Sequence, residues 1–152
     1  MLKVRRTLVR RTKKFQEGTY LIKVSWRKGV WRKIELAAHH TLEDLHQAIQ
    51  QVFDFDDDHL YSFFMDNKKW SHASYSSPLD ESGPHADQVT LGELALEPGQ
   101  SFLYLFDYGD EWEFKLKVEG IDPAKPLPLK PRLVAERGAA PEQYPDNEDW
   151  DE

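Results

Sequence analysis

Alternating apolar and polar side chains predict two β-hairpins in this chain. The first begins after Gly18, turns at Lys28-Gly29 and resumes a period of two from Val30 to Leu36. The second covers residues 102–106 and 111–119, with a turn at 107–110 between them. Because successive side chains of a strand point to opposite faces, each hairpin should place one face in the core and one in water.

A helical period follows the first hairpin. Five side chains fall within one stripe of a helical wheel, namely Leu42, Leu45, His46, Ile49 and Phe53. Thr41 precedes them as a candidate N-cap, and Asp44 stands where a capping box places its acid. The acidic run at 54–58 ends the pattern, because clustered Asp favours local hydrogen bonding over helix. These residues predict one amphipathic helix over about residues 42–53, packed on the hairpin.

The rest of the chain carries weaker patterns. Residues 59–65 are mostly apolar and suit a buried strand, whereas residues 71–88 are rich in Ser, Pro, Gly and Asp, which favours a long surface loop. Thr90 with Glu93 predicts one helical turn. Prolines at 123, 126, 128 and 131 remove ladder donors, so this segment should run extended across the surface.

Together these elements predict an α+β fold. We expect a ββα start reminiscent of a β-grasp, an antiparallel or mixed sheet of about five to six strands, and one main helix packed on one face. Residues 1–17 are predicted to form a basic N-terminal arm, residues 18–122 the α+β core domain, and residues 123–152 a Pro-rich wrap with an acidic C-terminal tail.

Composition excludes several classes of protein. The chain has 152 residues and no cysteine, so disulfides, thiolate metal sites and a cysteine nucleophile are excluded. No stretch approaches the roughly 20 apolar residues of a membrane span. The basic N-terminus also lacks the apolar segment of a signal peptide. We therefore expect a cytoplasmic protein without a membrane partner.

The charge is divided unevenly along the chain. The net charge is −7, yet residues 1–33 contain 12 Lys and Arg against one acid. Residues 34–152 therefore contain 8 Lys and Arg against 26 acids. Lys and Arg at this density can neutralise phosphates. The candidate binding residues are therefore Arg5, Arg6, Arg10, Arg11 and Arg32. The alternatives are that the arm lies on the protein's own acidic surface, or that it binds a partner protein.

Four carboxylates fall within seven residues at the tip of the second hairpin, in DYGDEWE at 107–113. Carboxylates held that close can bind a hard cation or act as acid and base, which makes Asp107 and Asp110 candidate catalytic residues. In the alternative, both bond the amides of their own turn while Gly109 takes a positive φ.

His46 is the third candidate catalytic residue, because it lies inside the apolar stripe of the predicted helix. It is either a hydrogen-bonded residue at the core edge or a catalytic group. The six histidines show no metal-ligand spacing, and the chain has no GxSxG, P-loop or GxGxxG motif. No metal and no cofactor is therefore predicted.

The order of these motifs resembles the plasmid pRiA4b ORF-3-like family over about residues 18–145. The matching stretches are YLIKV at 20–24, VWRKI at 30–34, TLxxLHxxI at 41–49, HLYxF at 59–63 and, most specific, YxFDYGDxWE at 104–113. Some members are labelled insertion-element passenger or TnpR-like proteins. The resemblance implies an α+β domain and a family without an established activity.

The chain departs from that family at two places. Members often have His two residues after the motif Trp, where this chain has Phe114. Members also tend to show a Cys near the C-terminus, which residues 132–138 lack. A site that depends on either residue is not expected here.

These observations predict a non-enzymatic binding module of a mobile-element-associated family. It would engage a protein or nucleic-acid partner through the basic arm and the groove beside the DYGD turn, where Tyr108 and Trp112 are further candidate binding residues. The alternative is a hydrolase or metal-dependent enzyme that uses Asp107 and Asp110 with His46.

Overall fold

The computed structural model describes residues 14–145, and one antiparallel sheet dominates them. Its seven strands are β1 (Thr19–Arg27), β2 (Val30–Ala37), β3 (Tyr61–Phe64), β4 (Ser74–Ser76), β5 (Ser101–Phe106), β6 (Trp112–Asp122) and β7 (Arg132–Arg137). Their order across the sheet is β4-β3-β5-β6-β1-β2-β7, and each neighbouring pair is antiparallel. The helices are α1 (Leu42–Val52) and two short 3₁₀ helices, Ala86–Gln88 and Leu91–Glu93. None of the helices in residues 14–145 is long and apolar enough to span a membrane.

The predicted fold class is wrong. The described residues form a seven-stranded antiparallel sheet with one α-helix of 11 residues, not an α+β domain of five to six strands built around a main helix with a β-grasp-like beginning. Two of the strands come from segments without a clear period, since β4 lies in the predicted loop at 71–88 and β7 follows the prolines. Each pairs with a neighbouring strand, β3 or β2. Strand formation depends on such packing partners, which leave no local pattern in the sequence.

The predicted hairpins and helix are confirmed. Gly29 between β1 and β2 has a φ of 85°, in the region that favours glycine. The Thr41 hydroxyl accepts from the Asp44 amide at 3.0 Å, and the Asp44 carboxylate accepts from the Thr41 amide at 2.8 Å. At the second 3₁₀ helix the Glu93 carboxylate accepts from both the amide and the hydroxyl of Thr90, each at 2.9 Å. These caps satisfy amides that have no partner within a first helical turn.

The core lies between α1 and one face of the sheet. Leu42, Leu45 and Ile49 of α1 are buried there. The largest fully buried side chains of the strands include Tyr20, Ile22, Ile34, Phe63, Phe102, Tyr104 and Phe114. Removing apolar surface from water stabilises a fold by roughly 25 cal/mol per Å², so this cluster accounts for most of the packing energy.

The opposite face of the sheet is called the open face here. Its central side chains are exposed or half-buried: Lys23 and Ser25 of β1, Trp31 and Lys33 of β2, and Lys115 and Lys117 of β6. They alternate with core residues along each strand, as the period of two predicts. The open face is therefore the more exposed face of both hairpins, although Leu105 of β5 and Glu35 of β2 are buried on it.

The segment between β6 and β7 crosses the end of the first hairpin on the surface, as its prolines predict. Lys125 and Arg132 from this region both pair with the buried carboxylate of Glu35. The hydrogen bond from Lys125 lowers the pKa of Glu35 below its usual value. The His40 ring nitrogen Nε2 lies 3.2 Å from the Leu129 carbonyl. These contacts hold in place the segment that leads into β7.

Candidate functional site

Asp107 lies buried in the turn between β5 and β6, with its carboxylate on the turn's own backbone. Its Oδ1 accepts from the amides of Gly109 at 3.1 Å and Asp110 at 3.2 Å. Asp107 itself has a φ of 68° and Glu111 a φ of 52°, so these residues, and not Gly109, take the positive φ of the turn. Asp110 is exposed. This is the local bonding typical of an Asp in a turn.

His59 is the titratable neighbour of that turn. Its Nδ1 lies 2.8 Å from Asp58 Oδ1 and 3.6 Å from Asp107 Oδ2. The hydrogen bond with Asp58 raises the pKa of His59 above its usual value. The Tyr144 hydroxyl donates to Asp58 at 2.9 Å. The segment after β7 is thus tied to the acidic run that follows α1.

His46 is fully buried at the centre of a chain of hydrogen bonds. Its Nε2 lies 2.9 Å from Asp57 Oδ1 and its Nδ1 lies 2.7 Å from the Tyr104 hydroxyl. Because a carboxylate only accepts, Nε2 carries the hydrogen, Tyr104 donates to Nδ1, and the Gln50 amide donates to Tyr104 at 3.0 Å. Burial lowers the pKa of His46 to about 4, against the opposing effect of Asp57.

A groove of about 600 Å³ lies outside that chain. Its lining consists of Glu43, Asp57, Asp58, His59, Leu60, Tyr61, Ser77, Pro78 and Leu79. The Gln47 amide donates to Glu43 at 3.0 Å and to Asp57 at 3.2 Å. The Tyr61 hydroxyl also donates to Glu43, while its ring stacks on His46 at a centroid distance of 3.6 Å. Burial raises the pKa of Glu43. The groove is acidic, and its carboxylates bond neighbouring side chains.

The predicted catalytic residues His46 and Asp107 bond different partners. Both ring nitrogens of His46 bond Tyr104 and Asp57, while Asp107 bonds the amides of its turn. Over residues 14–145, no group of three or more His, Asp or Glu side chains is placed to hold a metal ion. The arrangement can keep His46 neutral and oriented, and the hydroxyl on its Nδ1 belongs to Tyr104, which is fully buried.

Arg32 faces the core side of the sheet and is buried. Its guanidinium donates to the carbonyls of Val52 at 3.2 Å and Arg137 at 3.0 Å, and it pairs with Glu136 at 3.2 Å. It also lies over the Phe53 ring at 4.9 Å. These partners are all within the protein. The arm residues Arg5, Arg6, Arg10 and Arg11 lie outside the described residues.

Tyr108 and Trp112 are half-buried in aromatic clusters. The Tyr108 hydroxyl bonds Ser62 Oγ at 2.6 Å and the Tyr61 carbonyl at 3.0 Å. Trp112 packs edge-on against Phe55 at a centroid distance of 5.0 Å. Both aromatics lie near the DYGD turn, as the sequence predicts, and their polar or ring contacts are intramolecular.

The open face brings together lysines that are far apart in the sequence. Lys23 of β1 stands directly opposite Lys117 of β6 on one side and Lys33 of β2 on the other. The adjacent row contains Lys115, Ser25, Trp31 and Arg137, from β6 to β7. Neighbouring strands lie about 4.8 Å apart, so the backbone positions of the three lysines in the first row span about 10 Å.

The glutamates of the open face have cationic partners. Glu119 pairs with Lys33 at 2.8 Å, and Glu113 pairs with Lys69 at 2.8 Å. Among the ion pairs of the described residues, none involves Lys23, Lys115 or Lys117. The centre of the open face is therefore positively charged, although the whole chain is acidic.

One protein-family model matches most of this chain. The model of the plasmid pRiA4b ORF-3-like protein family matches residues 20–147. The chain belongs to this family. The resemblance carried by YxFDYGDxWE is thereby confirmed.

Two proteins similar to this chain are described without a function. A protein of Sinorhizobium fredii (strain NBRC 101917 / NGR234), described as uncharacterized protein y4hQ, is 32% identical over 99 residues, which are 62% of this chain and 48% of that protein. This chain thus spans about half the length of that relative. The crystal structure of MM3350, a protein of unknown function from Methanosarcina mazei Go1, matches with a TM-score of 0.68 and 31% identity. The match covers 84% of this chain and 74% of that one.

Sequence reasoning missed the basic face of this family member. The alternation of Lys115 and Lys117 with Phe114 and Leu116 was enough to place the two lysines in water. It did not show that Lys23 would stand opposite Lys117, because the register between β1 and β6 joins residues that are far apart in the sequence. The bond from the buried Tyr104 hydroxyl to His46 was missed for the same reason.

Proposed function

We propose that this chain is a non-enzymatic binding module that holds nucleic acid on the open face of its sheet. The observation that carries the proposal is the row formed by Lys117, Lys23 and Lys33 across three strands. Cations that neutralise phosphates release condensed counterions, which supplies most of the affinity for a polyanion. A mobile-element-associated role would agree with such a partner.

The energetics of the row support an anionic partner. Like charges directly opposite one another destabilise a sheet, and Lys23 has such a neighbour on both sides. A phosphate backbone laid across the row would turn this repulsion into attraction. Glu113 pairs with Lys69, outside the row, whereas Glu119 pairs with Lys33. Among the ion pairs of the described residues, Lys117 and Lys23 have no acidic partner, so these two lysines carry the charge of the row.

The acidic residues of the chain do not prevent this binding mode. The acidic run at 54–58 follows α1, which packs on the core face. A polyanion would therefore be repelled from that side and directed to the open face, since exposed charges are screened beyond about 8–10 Å in physiological salt. The arm with Arg5, Arg6, Arg10 and Arg11 is a further proposed contact.

An enzyme built on Asp107, Asp110 and His46 has less support. Asp107 bonds backbone amides, and both ring nitrogens of His46 have partners within the protein. A general acid or base must reach the reacting atom directly or through one water, which a fully buried ring does not do. A protein partner with an acidic surface would use the same lysines, and the experiment below separates it from nucleic acid.

Fluorescence anisotropy with labelled oligonucleotides over a series of salt concentrations tests the proposal. If Lys23, Lys33, Lys115, Lys117 and Arg137 contact phosphates, log K should fall with log salt with a slope of about −3.5 for single strands. The double variant Lys23→Gln/Lys117→Gln should weaken binding and reduce the slope by about 1.4.

The matched control is Lys130→Gln. Lys130 lies beside Asp44 and Gln51 of α1 and outside both open-face rows, so its loss changes the net charge without changing those rows. No salt-dependent binding of any oligonucleotide, or equal losses in the control and the double variant, would reject the proposal. Binding of an acidic peptide but of no oligonucleotide would replace nucleic acid by a protein partner.

A further inference from the structure

We infer that the open face selects single-stranded over duplex nucleic acid, with Trp31 and Trp70 as two platforms on which unpaired bases stack. This inference rests on the proposed function and names the substrate class of the same surface. Aromatic side chains beside a basic track are the general means of holding single strands, because every base has a π-face.

Trp31 lies within the basic face. Its row places it between Ser25 of β1 and Arg137 of β7. The ammonium groups of Lys23 and Lys33 lie 5.0 and 5.3 Å from the centroid of its ring. A base that stacks on this ring would bring its phosphates within reach of both lysines. The ammonium groups would then exchange a cation–π contact for a phosphate.

Trp70 lies at the other side of the same face. Its ring packs edge-on against Phe64 at 5.7 Å and against Tyr108 at 5.3 Å. Phe64 is on the open face, because the register takes it through Leu103 of β5 to Lys115 of β6. Tyr108 is itself anchored by its hydroxyl, as described above. Trp70 nevertheless remains 53% exposed, so a supported ring is presented to solvent.

The two rings and the lysines form one track. Trp70 packs on β3, and Trp31 lies on β2, four strand spacings away. This separation is about 19 Å. Lys115, Lys117 and Lys23 lie on the strands between them. A single strand can lay its backbone over the lysines and turn bases onto both rings. A duplex keeps its bases in its own stack and offers only phosphates.

The experiment compares four probes on each protein variant: labelled oligothymidylate and oligouridylate of about 20 nucleotides, a DNA duplex of the same length, and heparin. DNA and RNA single strands share the recognised chemistry, and the two oligonucleotides show which is preferred. Trp31→Leu and Trp70→Leu should each weaken binding of single strands about tenfold, the usual effect of losing one stacked base. Affinities for duplex and heparin should stay unchanged.

Two further variants separate stacking from folding. Trp31→Phe keeps a ring and should restore part of the lost affinity. Trp26→Leu removes a tryptophan that packs against Trp112 on the core side, at 5.8 Å, and should leave the preference for single strands intact in folded protein. The ratio of single-strand to duplex affinity is the readout, since a general loss of fold lowers both.

The outcomes distinguish this inference from the proposed function. If lysine substitution weakens all probes but Trp31→Leu and Trp70→Leu leave the ratio unchanged, stacking is rejected while phosphate binding stands. If the tryptophan variants lower single-strand, duplex and heparin binding equally, stacking is rejected as well. If the unaltered protein binds none of the probes, both proposals fail.

Discussion

Lys117 of β6 stands directly opposite Lys23 of β1 on the open face. This arrangement should cost stability in the free protein, because like charges at opposed positions repel. We expect Lys117→Gln to stabilise the fold by about 0.2–1 kcal/mol at low salt. The gain should shrink at 1 M salt, where the screening length falls to about 3 Å. Thermal unfolding at both salt concentrations measures it.

Lys130→Gln is again the control for that substitution, since it removes the same charge beside α1, outside the open-face rows. An equal effect in the control would assign the change to net charge. A Lys117→Gln protein that is less stable than the parent at low salt would contradict the expected repulsion.

The Tyr104 hydroxyl joins two buried partners, His46 Nδ1 and the Gln50 amide. Tyr104→Phe removes one oxygen and leaves both groups without this bond. Leaving a buried polar group unsatisfied costs about 1–3 kcal/mol. We expect a loss of free energy of unfolding of at least that size, measured by urea denaturation.

Tyr20→Phe provides the comparison for Tyr104→Phe. Tyr20 is fully buried as well, and its hydroxyl donates to a single partner, the Gln16 carbonyl, at 2.8 Å. Its loss should cost less, about 0.5–1.5 kcal/mol. Equal losses in the two variants would show that the hydrogen-bond chain through His46 adds no stability.

The depressed pKa of His46 makes the stability depend on pH. Its pKa is about 4 in the fold against 6.5 in the unfolded chain, so the folded state binds the proton less well. This contribution is fully present above pH 6.5 and is lost as pH falls towards 4, by about 3 kcal/mol for a shift of this size. The difference in unfolding free energy between the parent and His46→Gln should therefore shrink over this range.

His59 should act in the opposite direction. Its pKa is raised by Asp58, so its contribution is present below the unfolded pKa and is lost as pH rises through the folded value. His59→Gln should lose stability more steeply than the parent as pH falls. The raised pKa of Glu43 acts in the same direction as His59, and Glu43 is kept in every protein compared. Urea titrations at several pH values measure these slopes, and parallel curves for all proteins would contradict both assignments.

Asp107 combines a positive φ with two bonds to turn amides. Asn tolerates that backbone and keeps an accepting oxygen, whereas Ala does neither. We expect Asp107→Asn to be nearly neutral and Asp107→Ala to lose about 1–3 kcal/mol of unfolding free energy. Urea denaturation compares the pair. A large loss in Asp107→Asn would show that the charge at this turn matters beyond local bonding.

Local signals in the sequence predicted most of the elements. Thr41 with Asp44 and Thr90 with Glu93 marked the helix starts, because caps bond within three residues. Gly29 marked the first hairpin turn, because it tolerates positive φ. The strands β4 and β7 were not predicted, since each is held by pairing with another strand and has no clear period of its own.

The candidate sites were less predictable than the elements. The sequence singled out His46 and Asp107. The turn amides that bond Asp107 are local, but the Tyr104 hydroxyl that bonds His46 comes from a distant segment. Arg32 was predicted to bind a partner, and its position on the core face gives it carbonyl partners instead. The face on which a side chain lies and its neighbours across the sheet decide such roles.

By itself, the sequence determined the family, the amphipathic helix, the two hairpins and the division of charge, because each depends on residues close together in the chain. Only the tertiary structure decided the seven-stranded order and the basic face. The row of Lys117, Lys23 and Lys33 exists because β6, β1 and β2 are adjacent in one register. A shift of one residue in that register would turn these lysines to the other face, so their meeting is a property of the sheet as a whole.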